Sequence, residues 1–171
     1  MSGSDVSLVV NEAIQIEING LDSYLRFASR TRHLTGKNMF IRLAKDELEH
    51  LRLFEKLRPK LLAGQPASTQ EAEVRPISFV RPQLRKVDRV TKGEEHADEL
   101  TALEAALELE RKSIEFYGRW AEDVADPELR KLLLSLKEVE ESHFDLLQAE
   151  MDSLTGTGFW FGVPEFDLEA G

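Results

Sequence analysis

The chain has 171 residues, 42% hydrophobic and 32% charged, with 22 basic against 32 acidic side chains, a formal charge of −10 and no cysteine. This length and balance fit one soluble globular domain with a single core, and the missing cysteines exclude disulfide frameworks, thiolate zinc sites and iron–sulfur centres. The acid excess argues against nucleic acid, whose phosphates are neutralised by Lys and Arg, and any metal must take nitrogen and oxygen ligands.

Met1-Ser2-Gly3-Ser4-Asp5 has no basic n-region, and the apolar run Val6 to Val10 is too short for a signal peptide. No segment approaches the roughly 18 apolar residues of a membrane span, so the expected location is the cytoplasm, away from membranes. Val6, Val10, Ala13, Ile14, Glu17, Leu21, Tyr24 and Ala28 recur at three- and four-residue steps, which predicts an amphipathic helix over about residues 5 to 33 with Glu17 on its apolar face. A break is expected at Thr35-Gly36, followed by a second helix marked by Met39, Phe40, Leu43, Glu47, His50, Leu51, Phe54 and Leu57 and ending near Pro59 or Gly64.

Residues 64 to 93 carry Pro66, Pro76 and Pro82 between Gly64 and Gly93, which denies this stretch a regular helix. Extended, its 30 residues reach far beyond the roughly 43 Å of a long helix, so it can serve as a full-length crossover. Its cations, Arg75, Arg81, Arg85, Lys86, Arg89 and Lys92, stand out in an acidic chain. They suit a surface strap pinned by Val74, Ile77, Phe79, Val80, Leu84 and Val87, or a docking patch for an acidic electron donor. Leu103, Ala106, Leu107, Glu110, Ile114, Tyr117 and Ala121 then predict a third helix, and Asp126-Pro127 the N-cap and first position of a fourth. The fourth helix carries Leu129, Leu132, Leu133, Leu136, Glu140, His143, Phe144 and Leu147. The tail from Phe159 to Phe166 holds four aromatics and is expected to fold back on the bundle or on a second subunit.

These helices are copies of one another. Residues 13 to 57 align without a gap on residues 106 to 150, an offset of 93 (106 minus 13). Glu17 falls on Glu110, Tyr24 on Tyr117, Glu47 on Glu140 and His50 on His143, and those are the only two tyrosines and two of the four histidines. Each half thus supplies a mid-helix Glu and a Glu-x-x-His on the neighbouring helix, where a spacing of three brings Glu and His onto one face. Four buried carboxylates without compensation would be strongly unfavourable, whereas two divalent cations bring them to formal neutrality. A carboxylate-rich site with one imidazole per ion suits iron or manganese better than structural zinc, in a bundle of the di-metal carboxylate kind. His33 and His96, near helix ends outside the repeat, read as surface or capping residues, and Glu49, Glu104, Glu108, Glu115 and Glu141 as solvated faces.

Across residues 5 to 155 the chain resembles the ferritin-like superfamily and, within it, the rubrerythrin family, whose FY-containing third helix is similar to Glu110 to Tyr117. The resemblance implies an all-α, ferritin-like four-helix bundle: a hairpin over 5–63, a crossover over 64–93, a hairpin over 94–155 and a tail over 156–171. It implies two iron ions, with manganese or a mixed pair as alternatives. Glu17 and Glu110 would be terminal ligands, Glu47 and Glu140 bridges, His50 and His143 caps of one ion each, and Tyr24 and Tyr117 hydrogen-bond partners of ligand carboxylates with a possible part in the redox chemistry. The implied activity is reduction of peroxide or dioxygen with an external electron donor, in a homodimer. Ferroxidase or iron handling and a metal-binding scaffold are the alternatives. Two features depart from the family. The four cysteines of a rubredoxin domain are missing, and the position of an extra third-helix Glu holds Ser113, which brings the six-ligand set closer to the ferroxidase centres of bacterioferritins.

Overall fold

The computed structural model describes residues 3–65, 97–155, 159–160 and 163–164. Four long helices dominate: α1 (Gly3–Arg30), α2 (Leu34–Leu62), α3 (Ala97–Asp123) and α4 (Pro127–Thr155). A two-residue antiparallel ribbon follows, β1 (Phe159–Trp160) with β2 (Val163–Pro164), in register Phe159 to Pro164 and Trp160 to Val163. The crossover with its cations, His96 and the side chains of the aromatic tail lie outside the described residues.

The apolar stripes of the four helices are the core. Val10, Ala13, Glu17, Tyr24 and Ala28 of α1 are all buried, as are Leu103, Ala106, Glu110, Tyr117 and Ala121 of α3. Within each sequence half the helices pack as an antiparallel hairpin, α1 on α2 and α3 on α4. The direction across the halves follows from two cross-links. Tyr24, late in α1, meets Glu110, and Tyr117, late in α3, meets Glu17, so α1 and α3 run antiparallel. His50 facing Glu140 while His143 faces Glu47 gives the same relation for α2 and α4. Helices α2 and α3 are therefore parallel, as in ferritin-like folds.

The helix ends correct one expectation. Thr35 and Gly36 do not break the chain but lie in the first turn of α2, and the α1–α2 turn is Thr31 to His33, capped by His33 with extended backbone and no side-chain cap bond. Gly36 is there for space: a Cβ would run into the Glu99 carboxylate of α3. Between the two proposed ends of α2, Gly64 decides. Pro59 is accommodated inside the last turns, and Gly64, at φ 69°, closes a Schellman motif in which Gln65 N–H donates to Lys60 O at 3.0 Å and Gly64 N–H to Leu61 O at 3.1 Å. Helix α4 starts as expected: Asp126 Oδ1 accepts from the N–H groups of Glu128 (2.8 Å) and Leu129 (3.0 Å), with Pro127 at the first helical position. Arg130 then reaches back to donate to the Ala121 and Val124 carbonyls at 3.1 and 2.7 Å, satisfying orphan acceptors at the end of α3.

The core divides into two apolar layers. One gathers Val9, Val10, Ala13, Phe54, Leu57, Tyr117, Leu132 and Leu136 among others; the second gathers Tyr24, Phe40, Leu43, Leu103, Ala106 and Leu147. Besides Thr31 and Glu99, six polar side chains among the described residues lie buried along with them: Glu17, Glu47, His50, Glu110, Glu140 and His143.

Candidate metal centre

Each of the six sits on its helix's apolar stripe, so folding the bundle carries all of them inward. None is more than 5% exposed. His50 Nδ1 lies 3.3 Å from Glu17 Oε2, 3.5 Å from Glu47 Oε2 and 3.5 Å from Glu140 Oε1. His143 Nδ1 lies 3.1 Å from Glu140 Oε2, 3.6 Å from Glu47 Oε1 and 3.7 Å from Glu110 Oε1. The two imidazoles are nearly parallel, at 21°, with centroids 6.0 Å apart.

These atoms form two sets. Glu17, Glu47, His50 and Glu140 bring one ligand atom each within 4.8 Å of one another, and so do Glu47, Glu110, Glu140 and His143. Glu47 and Glu140 belong to both sets, while Glu17 and Glu110 each belong to one. Glu17 Oε2, His50 Nδ1 and Glu140 Oε1 are buried without a hydrogen-bond partner. Orphaned donor-set atoms of this kind, in carboxylate-rich surroundings with one imidazole per set, fit a pair of hard divalent cations.

The tyrosines complete the outer carboxylates. Tyr24 Oη donates to Glu110 Oε1, and Tyr117 Oη donates to Glu17 Oε1. Each tyrosine thus serves the Glu of the opposite hairpin, because residues seven apart on one helix are separated by about 10 Å of rise. The Tyr117 ring stacks on Phe54 at 6.2 Å and 8°, and Tyr24 on Phe40 at 6.2 Å and 22°, which fixes where the hydroxyls point.

Electrostatics record the crowding. Burial pushes the Glu47 carboxyl up, and the charges of Glu140 and Glu17 push it further, against the two histidines. Burial and the Glu140 charge raise Glu110 to about 8. Burial alone would also raise Glu140, but the neighbouring imidazoles of His143 and His50 outweigh it and hold this carboxyl far below the ordinary range. Burial depresses both histidines, yet the surrounding carboxylates win and each ends well above its ordinary value. Desolvation and the nearby carboxylates keep both tyrosines protonated as donors. Protons on Glu47, Glu110, His50 and His143 therefore hold the place of positive charge that two divalent cations can supply.

A family model described as rubrerythrin matches residues 9–151. The chain belongs to the rubrerythrin family. A solved structure of a hypothetical protein from Pyrococcus furiosus is similar at 24% identity, over 91% of this chain and 93% of that one, with a TM-score of 0.64, and shares the fold. No curated protein matches the chain. No helix among the described residues is long and apolar enough to cross a membrane.

The remaining residues singled out in the sequence are peripheral to this rubrerythrin-family centre. Glu49, Glu104, Glu108, Glu115 and Glu141 are exposed, as expected; Glu108 pairs with Lys112 at 3.5 Å and Glu141 pairs with Lys137. His33 is exposed at the α1–α2 turn. Two residues at the centre escape the motif reading. Asp46 Oδ2 lies 3.6 Å from His143 Nε2. Gly20 faces Glu47, whose Cδ and Cγ would be 3.2 and 3.3 Å from a Cβ there. A position-by-position comparison of the repeat marks both, since 93 residues on they become Val139 and Ser113.

Proposed function

We propose that the protein is a non-haem di-iron oxidoreductase that reduces peroxide or dioxygen with electrons from an external donor. The observation that carries this reading is the pair of four-residue sets sharing Glu47 and Glu140. Glu17 and His50 would complete one ion's ligands, and Glu110 and His143 the other's. Bound iron would supply the redox chemistry: two electrons and two protons convert peroxide to two waters, the electrons coming from a separate donor. The chain's own groups set the geometry. The tyrosine hydroxyls orient the outer carboxylates, the two apolar layers exclude bulk water, and the four negative charges match two divalent cations.

Ser113 supports a second reading, oxidation of ferrous iron as substrate. It bonds its own helix at Leu109 O (3.3 Å), so the six-residue set stands without an extra third-helix carboxylate. Stopped-flow oxidation of the ferrous-loaded protein separates the readings. Fast, catalytic consumption of peroxide or dioxygen with two irons retained per chain supports the oxidoreductase. Turnover of added iron supports the ferroxidase. Oxidation no faster than that of free iron sinks both and leaves a metal-binding scaffold.

A further inference from the structure

The two halves of the centre match residue for residue in their ligand set, but not in what stands behind the histidines. The carboxylate behind His143 comes from Asp46, the residue just before Glu47 on α2. Its repeat counterpart just before Glu140 on α4 is Val139, which is buried and has no polar atom on its side chain. Asp46 Oδ2 and His143 Nε2 are both buried without a hydrogen-bond partner, and they face each other at 3.6 Å. A shift of roughly half an ångström brings them to hydrogen-bond distance. The ion pairs of His50 with described residues all run through Nδ1, towards Glu17, Glu47 and Glu140.

The consequence lies in the tautomer. For an imidazole to offer Nδ1 as a ligand, its remaining proton must sit on Nε2, and a carboxylate accepting that N–H fixes both tautomer and ring orientation while raising ligand basicity. Asp46 is placed to do this for His143. Val139 cannot do it for His50. We propose that Asp46 is a positioning residue that makes the two cation positions unequal, so that the Glu47, Glu110, Glu140 and His143 position binds its ion first and more tightly.

The inference rests on the reading of the centre as a two-cation site, and one titration tests the two separately. Chelator-stripped full-length protein is titrated with Co²⁺, followed by its ligand-field absorption and by calorimetry. Two unequal steps are expected, with Asp46→Asn weakening the tighter one by about 10- to 100-fold. Absence of any two-ion binding overturns the centre itself. Two equal steps, or an unchanged tight step in Asp46→Asn, overturns only the inequality. The substitution is repeated in two backgrounds to separate positioning from structure. In His50→Ala, Asp46→Asn should still weaken the remaining step; in His143→Ala it should have no further effect. Equal losses in both backgrounds would show that Asp46 merely supports the fold and would refute the proposal. Val139→Asp, if folded by circular dichroism, should tighten the weaker step, and failure to do so in a folded protein also counts against it.

Discussion

The two hairpins of this bundle are near copies at the centre and differ in several of the residues packed around it. Glu, Tyr, Glu and His recur at an interval of 93 residues, and folding brings the copies together as two overlapping four-residue sets. Around that shared set, Asp46 has Val139 as its counterpart, Gly20 has Ser113, Phe40 has Leu133, and the cap of α2 is His33 where α4 has Asp126. The identity of the clustered residues is constrained by chemistry that two ions would need alike. Packing partners and caps need only satisfy their own neighbours, and there the halves have diverged.

The largest test of the comparison is to remove a residue both halves share. Glu140→Gln should abolish binding of both ions, by more than about 100-fold each, since a shared ligand costs more than an outer partner; Glu17→Gln should weaken only the position containing His50. Calorimetric titration with Mn²⁺ reads the difference, and one intact tight site in Glu140→Gln would show that the sets do not overlap as described.

A large effect is also expected from pH in the stripped protein. Glu47, Glu110, His50 and His143 have raised values in the fold, so their contribution is complete below their unfolded values and lost as pH rises through the folded ones. Glu140 is lowered, so its contribution is lost only as pH falls below the ordinary carboxylate range and gives no slope above it. For Glu110 the window runs from 4.5 to about 8. Denaturant unfolding with chelator present should show stability falling across pH 5 to 8, by on the order of 2–5 kcal/mol. Metal-loaded protein should not show this fall. A flat profile for the stripped protein would contradict the buried protonation.

Smaller effects separate the halves. Tyr117→Phe leaves Glu17 without its donor and Tyr24→Phe does the same to Glu110. Each should weaken its own ion by about 1–2 kcal/mol and leave the other unchanged, whereas equal effects on both ions would argue against the crossed pairing. At the turns, Asp126→Ala should cost about 1 kcal/mol by urea denaturation, against less than about 0.5 for His33→Ala, because only Asp126 accepts from its helix.

Much of this was legible in the chain. The stripes from Val6 to Ala28 and from Leu103 to Ala121 mark the buried faces, and the repeat isolates the six clustered residues without any coordinates. Gly36 has the sequence signature of a breaker, yet it serves close packing against Glu99. A lone Asp on a helix carries no signal by itself, and the meaning of Asp46 depends on His143, nearly a hundred residues away.

Four amphipathic helices and the set of candidate donor residues follow from the order of the amino acids alone, since helical periodicity and residue type are local properties. Which tyrosine serves which carboxylate, that Glu47 and Glu140 lie in both sets, and that Asp46 stands behind His143 emerge only when the helices pack. Those facts depend on the antiparallel pairing of α1 with α3 and of α2 with α4. Helical periodicity fixes which face of a helix is buried, and leaves open which face of another helix it meets.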